Sequence, residues 1–196
     1  MKKGTVTKEL IVENAAGLFN TIGYHRTSMS DLMQATGLEK GGIYNHFKSK
    51  DELAIAAFEY AVKVFGKRIQ ERVSKEKSPL KKLYALIDGF QANVEDPPLE
   101  GGCPLLNCAV ENDQSNEALK AKARESVDAL TRFVEGLVID AQAAKEIRRK
   151  FSPKQVATFI VSSIEGGIML SRLYEDKRRM GMVADSIREY LSDLEK

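Results

Sequence analysis

Residues Thr27 to Leu53 read T-S-M-S-D-L-M-Q-A-T-G-L-E-K-G-G-I-Y-N-H-F-K-S-K-D-E-L, and this stretch decides both fold and function. Ser28 followed three residues later by Asp31 is a capping-box signature and opens a short helix. That helix ends near Thr36–Gly37. A third, very short helix covers about Lys40 to Phe47, and Ser49 with Glu52 caps the start of a long one. Two short helices joined by a tight turn make a helix-turn-helix, in which the first braces across the phosphate backbone and the second enters the major groove. Met29, Leu32 and Met33 supply the packing face of the bracing helix. Leu38, Ile43 and Phe47 face inward and pin the recognition helix.

The outward residues then take roles by chemistry. Gly41 and Gly42 remove side chains so that backbone and base edges approach closely. Tyr44 and His46 donate hydrogen bonds to phosphate, and Lys40, Lys48 and Lys50 add charge. Thr27 and Ser28, with Arg26, lie at the phosphate-facing edge. The N-terminus of the helix after Ser49 also suits a phosphate. Asn45 is the base-reading candidate, because an amide pairs with adenine in bidentate fashion.

Composition agrees with a protein that meets DNA locally rather than everywhere. With 43% hydrophobic and 30% charged residues, the 196-residue chain has the make-up of a soluble globular protein able to bury a core without metals or disulfides. Net charge is only +2, but residues 1–50 carry seven Lys/Arg against four Asp/Glu, whereas the remaining 146 carry 23 against 24. Nucleic-acid contact is therefore expected near the N-terminus. Lys2 and Lys3 are followed by no apolar h-region, Phe159–Leu170 is short for a bilayer span, and two cysteines make no disulfide framework. A reduced, cytoplasmic protein is expected. Two histidines with no cysteine nearby argue against a metal, and nothing calls for a cofactor.

Helical periodicity runs through the whole chain, so the expected fold class is all-α with about nine helices. The first runs from Thr7 to Ile22, with a stripe of Leu10, Ile11, Ala15, Leu18, Phe19 and Ile22, and ends on Gly23. Further helices are expected from Ser49 to Val73, Pro79 to Val94, Pro104 to Glu111, Ser115 to Lys150 with a bend near Gly136–Ala144, Pro153 to Tyr174, and Val183 to Leu194. Glu95–Gly102, EDPPLEGG, is the clearest loop. No linker follows Ser49, so the boundary of the N-terminal unit falls inside the long helix.

The quoted stretch, with the preceding A-x-x-L-F-x-x-x-G-Y from Ala15 to Tyr24, resembles the DNA-binding domain of TetR-family transcriptional regulators. The resemblance covers roughly residues 7–55. It departs at Glu39, where a small hydroxyl residue is usual, and at Met33, where alanine is commoner. It implies a homodimer with a helix-turn-helix domain over residues 1–50 and a ligand-binding and dimerisation domain over 51–196. It also implies a repressor released from a pseudo-palindromic operator by a small-molecule effector. The segment GGCPLLNCAVEND is similar to a G-C-x-x-x-N/K-x-x-x-E stretch in family members that answer electrophiles or oxidants, which makes Cys103 a candidate sensor; a half-buried cap residue is the plainer reading. Cys108 reads as core.

Beyond residue 55 the expectations are coarser. Phe58, Val62, Phe65, Leu86, Phe90, Leu106, Phe133 and Leu137 are the apolar candidates for lining an effector cavity, with Asn93 and Asn107 as polar anchors and Cys103 among the ligand-binding candidates. Ordinary core packing is the alternative for each. No charge cluster lies on these faces, so an apolar or neutral effector is expected. Ser162, Ser163, Gly166 and Gly167 form a small-residue strip on an apolar helix. With Ile187, Tyr190, Leu191 and Leu194 of the last helix, it builds either a four-helix dimer interface or an intramolecular pair. Two other functions remain in view. One is a thiol enzyme using Cys103, although no histidine lies near it in sequence. The other is a helical adaptor without DNA binding, which only Glu39 encourages.

Overall fold

The computed structural model describes residues 3–111 and 116–195, with side chains from residue 8 onward. Among these residues the chain is helical throughout: α1 (Lys3–Ile22), α2 (Met29–Thr36), α3 (Lys40–Tyr44), α4 (Lys50–Val73), α5 (Pro79–Glu95), α6 (Pro104–Glu111), α7 (Glu117–Ala143), α8 (Pro153–Leu173) and α9 (Arg178–Leu194). An isolated antiparallel bridge joins Ile147 to Glu195.

Local chemistry sets most boundaries. The Ser28 hydroxyl accepts from the Asp31 amide while the Asp31 carboxylate accepts from the Ser28 amide, so the expected capping box is complete. Gly37 ends α2 in the left-handed conformation, φ 66°, with its N–H on the Met33 carbonyl. Ser78 and Ser152 cap α5 and α8, each followed by proline in the first turn, where the missing N–H costs nothing. The long segment breaks at Ala143–Ala144, the far edge of the stretch where a break or bend was expected, but the helix does not resume: α7 stops at Ala143 rather than running on to Lys150. Its end is set by Lys145 at φ 62° and by the Arg148 amide, which leaves the helical ladder to donate to the Leu194 carbonyl at 3.0 Å. The expected start at Ser115 lies outside the described residues.

The chain divides into two compact units. The first comprises Met1–Val64 with Leu99–Glu125, and the second Phe65–Pro98 with Ser126–Lys196. In the first, α1 packs on α2 and α6, and α2 on α3. Its core is Ile11, Ala15, Ala16, Phe19, Tyr24, Leu32, Ile43, Phe47, Leu53, Ala57 and Phe58. The stripe on α1 is narrower than expected. Ile11, Ala15 and Phe19 form one i, i+4 ridge into the core, while Leu10 and Ile22, at the flanks of that ridge, are exposed.

In the second unit α5, α8 and α9 pack together. Ile187, Leu191 and Leu194 are buried here within the unit. Gly167 lets α9 come close: a Cβ at that position would stand 2.8 Å from Met180 Sδ and 3.2 Å from Val183 Cβ. Arg188 ties α9 to α5 through Asp88 at 2.6 Å and Gln91 at 2.9 Å. The Tyr84 hydroxyl donates to Glu195 at 2.7 Å; burial, with that carboxylate beside it, pushes the phenol up to about 12. The helix α8 is longer than the apolar segment that suggested it, 21 residues, and by length and composition alone it is able to cross a membrane; 44% of its most apolar window is buried inside the unit.

Candidate nucleic-acid interface

The surface of the first unit around α3 follows from which side chains its core claims. Ile43 and Phe47 are buried as expected, and Leu38 is half-buried. Since α3 is anchored through these, its other residues turn outward. Lys40, Gly41, Tyr44, Asn45 and Lys48 are exposed, and Gly42, His46 and Lys50 are half-buried. The Lys40 ammonium lies 5.9 Å from the centre of the Tyr44 ring, and Lys8 of α1 lies 5.0 Å from that of Phe47. Lys8 was not foreseen; its long separation in sequence from Phe47 hides its approach to α3. The Lys50 ammonium stands 3.4 Å from the His25 carbonyl, so it lies against the loop before α2.

The glycines of α3 are informative because the fold itself does not demand them. Neither has a positive φ. A Cβ added at Gly41 would meet nothing within 4 Å, and one at Gly42 would meet only Leu38 at 3.5 Å, an ordinary contact. Glycine inside a helix costs up to about 1 kcal/mol relative to alanine. Nothing inside this unit requires either glycine.

Two expectations about this surface change. Thr27 is fully buried, and its hydroxyl donates to the Gly23 carbonyl at 2.6 Å, so it braces the α1–α2 turn and leaves the surface set. Ser28 is exposed, but its hydroxyl serves the capping box. The hydrogen bonds from Ser28 hold the Asp31 carboxyl below its usual range. The start of α4 is also spoken for. The Glu52 amide donates to the Ser49 hydroxyl, the Lys48 amide donates to the Glu52 carboxylate at 2.7 Å, and Asp51 adds a second negative charge in the first turn.

Behind this surface α6 grips the end of α1. Asn20 is buried and its carboxamide donates to the carbonyls of Glu100 and Gly102. Asn107 in turn donates to the Asn20 carbonyl, the Asn20 Oδ1 and the Gly101 carbonyl at 2.8–3.2 Å. Gly101 has φ +98°, and a Cβ there would collide with the Asn20 backbone. Glu111 accepts from the His25 amide at 2.7 Å. Asn107, expected as a ligand anchor, is therefore a structural tie. Gly102, Asn107 and Glu111 fall in the G-C-x-x-x-N/K-x-x-x-E stretch seen in the sequence, but nothing in that stretch announces Asn20 and His25, far earlier in the chain, as its partners.

The remaining effector candidates divide between the units. Phe58, Cys103 and Cys108 are buried in the first, with Val62 and Leu106 half-buried. Phe65, Phe90, Asn93 and Leu137 are buried in the second, as is Leu86. Phe133 is 44% exposed, which removes it from any interior wall. Asn93 donates to the Phe65 carbonyl at 3.1 Å, and its Oδ1 is buried without a hydrogen-bond partner. On α8, Phe159, Ser162, Met169 and Leu173 are exposed and Ser163 and Gly166 half-buried; Phe159 packs on the half-buried Tyr190 at 4.5 Å between ring centres.

Known proteins share this arrangement. The family described as bacterial regulatory proteins, tetR family, matches residues 11–57, and the one described as tetracyclin repressor-like, C-terminal domain, matches residues 79–187. An uncharacterized HTH-type transcriptional regulator of Bacillus subtilis, YxaF, is 30% identical, with 92% of this chain and 93% of that protein covered. The crystal structure of a TetR transcriptional regulator from Chloroflexus aurantiacus is 39% identical and superposes with a TM-score of 0.94, covering 98% of this chain and 97% of that one. A TetR-family regulator from Cytophaga hutchinsonii is 28% identical, with a TM-score of 0.92 over 100% of this chain and 98% of that one.

Proposed function

The chain belongs to the TetR family of DNA-binding transcriptional regulators, and from that premise we propose that it is a homodimeric repressor released from a pseudo-palindromic operator by a small apolar or neutral effector. Residues 1–50 carry the DNA-reading part, and residues 51–196 carry effector binding and self-association. Membership puts the chain among regulators rather than enzymes, so the thiol-enzyme reading falls away. The observation that carries the proposal is the open space at Gly41 and Gly42, flanked by the outward Lys40, Tyr44, Asn45, His46, Lys48 and Lys50. Bases approach the glycines while the cations and hydroxyl hold the phosphates.

The stripe of exposed Phe159, Ser162, Met169 and Leu173 with the half-buried Gly166 supports self-association, because its i, i+3, i+4 spacing makes one continuous face of small and large residues. The open Oδ1 of Asn93 supports an effector carrying a hydrogen-bond donor. A buried acceptor left without a partner costs about 1–3 kcal/mol, which a ligand hydroxyl or N–H would offset. Phe65, Phe90 and Leu137 give that effector apolar company in the same unit. Selection of bound sequences from a randomised duplex pool tests the reading, with sedimentation of the same preparation. A two-fold-related motif, retention that falls steeply with salt, and twice the chain's mass are expected. A monomer that retains no duplex at low salt overturns it.

A further inference from the structure

Resting on the DNA-reading role proposed for α3, we propose that Glu39 is a specificity-determining residue that reads a cytosine in each operator half-site. Glu39 occupies the N-cap of α3 with extended backbone (φ −67°, ψ 158°). Its carbonyl starts the helix by accepting from the Gly42 amide at 2.8 Å. Its carboxylate does not cap the helix, is exposed, and takes no partner among the described residues. The adjacent Lys40 ammonium leans over the Tyr44 ring instead. With no side chains at Gly41 and Gly42, Glu39 and Lys40 are the two side chains that the first turn of α3 presents outward.

In a helix-turn-helix the N-terminal residues of the recognition helix are the ones that reach base edges. A carboxylate there is repelled by phosphate and needs a donor. In the major groove guanine offers N7 and O6, both acceptors, and thymine offers O4 and a methyl group. Adenine sets its N6 donor beside the N7 acceptor, so a carboxylate gains one contact and meets one repulsion. Cytosine presents its N4 donor, the edge a Glu side chain accepts from. The same charge that weakens binding to most sequences thus favours cytosine and rejects guanine and thymine. It does so through unfavourable contacts as much as through favourable ones.

The test uses the full chain, wild type against Glu39→Gln and Glu39→Ala, each selected on a randomised duplex pool and then titrated on duplexes differing at one symmetric position. The wild type should prefer cytosine there by about 5- to 150-fold over guanine or thymine, the range of one mismatched base pair. Glu39→Gln should move the preference toward adenine, whose N6 and N7 an amide pairs with. Glu39→Ala should lose affinity for the cytosine duplex and gain it for the guanine and thymine duplexes. Unchanged base preferences in both variants, or a uniform gain in affinity across all four bases, overturn the proposal while leaving α3 as the DNA-binding element. Failure of every variant, wild type included, to retain any duplex at low salt overturns the proposal and, separately, the DNA-reading role on which it rests.

Discussion

The Glu111 carboxylate accepts the backbone N–H of His25 at 2.7 Å across 86 positions of sequence, joining the end of α6 to the turn that delivers α2. The same turn owes its shape to Gly23 at φ +105°, where a Cβ would stand 2.8 Å from Glu111 Oε1. A hydrogen bond to a charged group contributes about 1.5–3 kcal/mol, and partial exposure of the site places this one near or below the low end. Glu111→Ala should therefore lower the melting temperature by about 2–4 °C, the shift for roughly 1 kcal/mol in a chain of this size. Calorimetry of the two proteins checks it; an unchanged melting temperature means that the contact contributes no stability.

Gly41→Ala separates the needs of the fold from those of the ligand. Nothing within 4 Å obstructs the new methyl group, so the protein should be as stable as wild type or gain up to about 1 kcal/mol from helix propensity. DNA affinity should fall, because the methyl group occupies the space held open for base edges. Melting and gel-shift titration of the same preparation should move in opposite directions. A variant that binds as tightly as wild type refutes the close approach at this position.

Gly166 and Gly167 are neighbours in sequence with opposite surroundings. A Cβ at Gly167 meets Met180 and Val183, whereas one at Gly166 meets nothing. Gly167→Ala should destabilise the protomer by about 1–3 kcal/mol through overpacking. Gly166→Arg should leave the protomer's far-ultraviolet spectrum intact and abolish self-association. Sedimentation velocity distinguishes the two. If Gly166→Arg sediments as wild type does, the exposed face of α8 is not where copies meet.

These cases show where sequence reading succeeds. Ser28 with Asp31, Ser49 with Glu52, Gly37, Pro79 and Pro153 were legible because each acts on atoms within a few residues, and a local rule covers them. The clasp of Asn20, Gly101, Asn107 and Glu111 was not, because its partners come together only when α6 packs on α1. Amphipathic pattern finds a helix more readily than it finds the centre of its buried face, so Leu10 and Ile22 were placed in a core that excludes them. It also cannot separate a cavity wall from a surface, which is why Phe133 was misplaced.

Acid should weaken the DNA-reading unit through Asp31. The Ser28 amide and hydroxyl stabilise the charged carboxylate, so its folded pKa lies below the ordinary value of 3.8. A lowered folded pKa gives stability that is fully present above the unfolded value and is lost as pH falls through the folded one. The melting temperature of wild type should thus drop more steeply than that of Asp31→Asn once pH passes below about 4, and the two should run parallel near neutrality. Identical slopes across the acid range show that the box makes no pH-dependent contribution.

The outward polar residues should divide by salt dependence. Each phosphate neutralised releases counterions, so removing one cation reduces the slope of log affinity against log salt by about one. Lys48 is exposed next to α3, and its side chain takes no hydrogen-bond or ion-pair partner among the described residues, so Lys48→Ala should give that reduction and weaken all sequences alike. Tyr44→Phe removes a neutral donor while keeping the ring under the Lys40 ammonium, so it should lower affinity for every sequence by a similar factor with the slope unchanged. Asn45→Ala should instead change which sequences are bound, because its amide is assigned to a base edge rather than to phosphate. Titrations at three salt concentrations on cognate and random duplexes separate the outcomes. A Lys48→Ala slope equal to wild type removes Lys48 from the interface, and an Asn45→Ala effect of equal size on both duplexes reassigns Asn45 to the backbone.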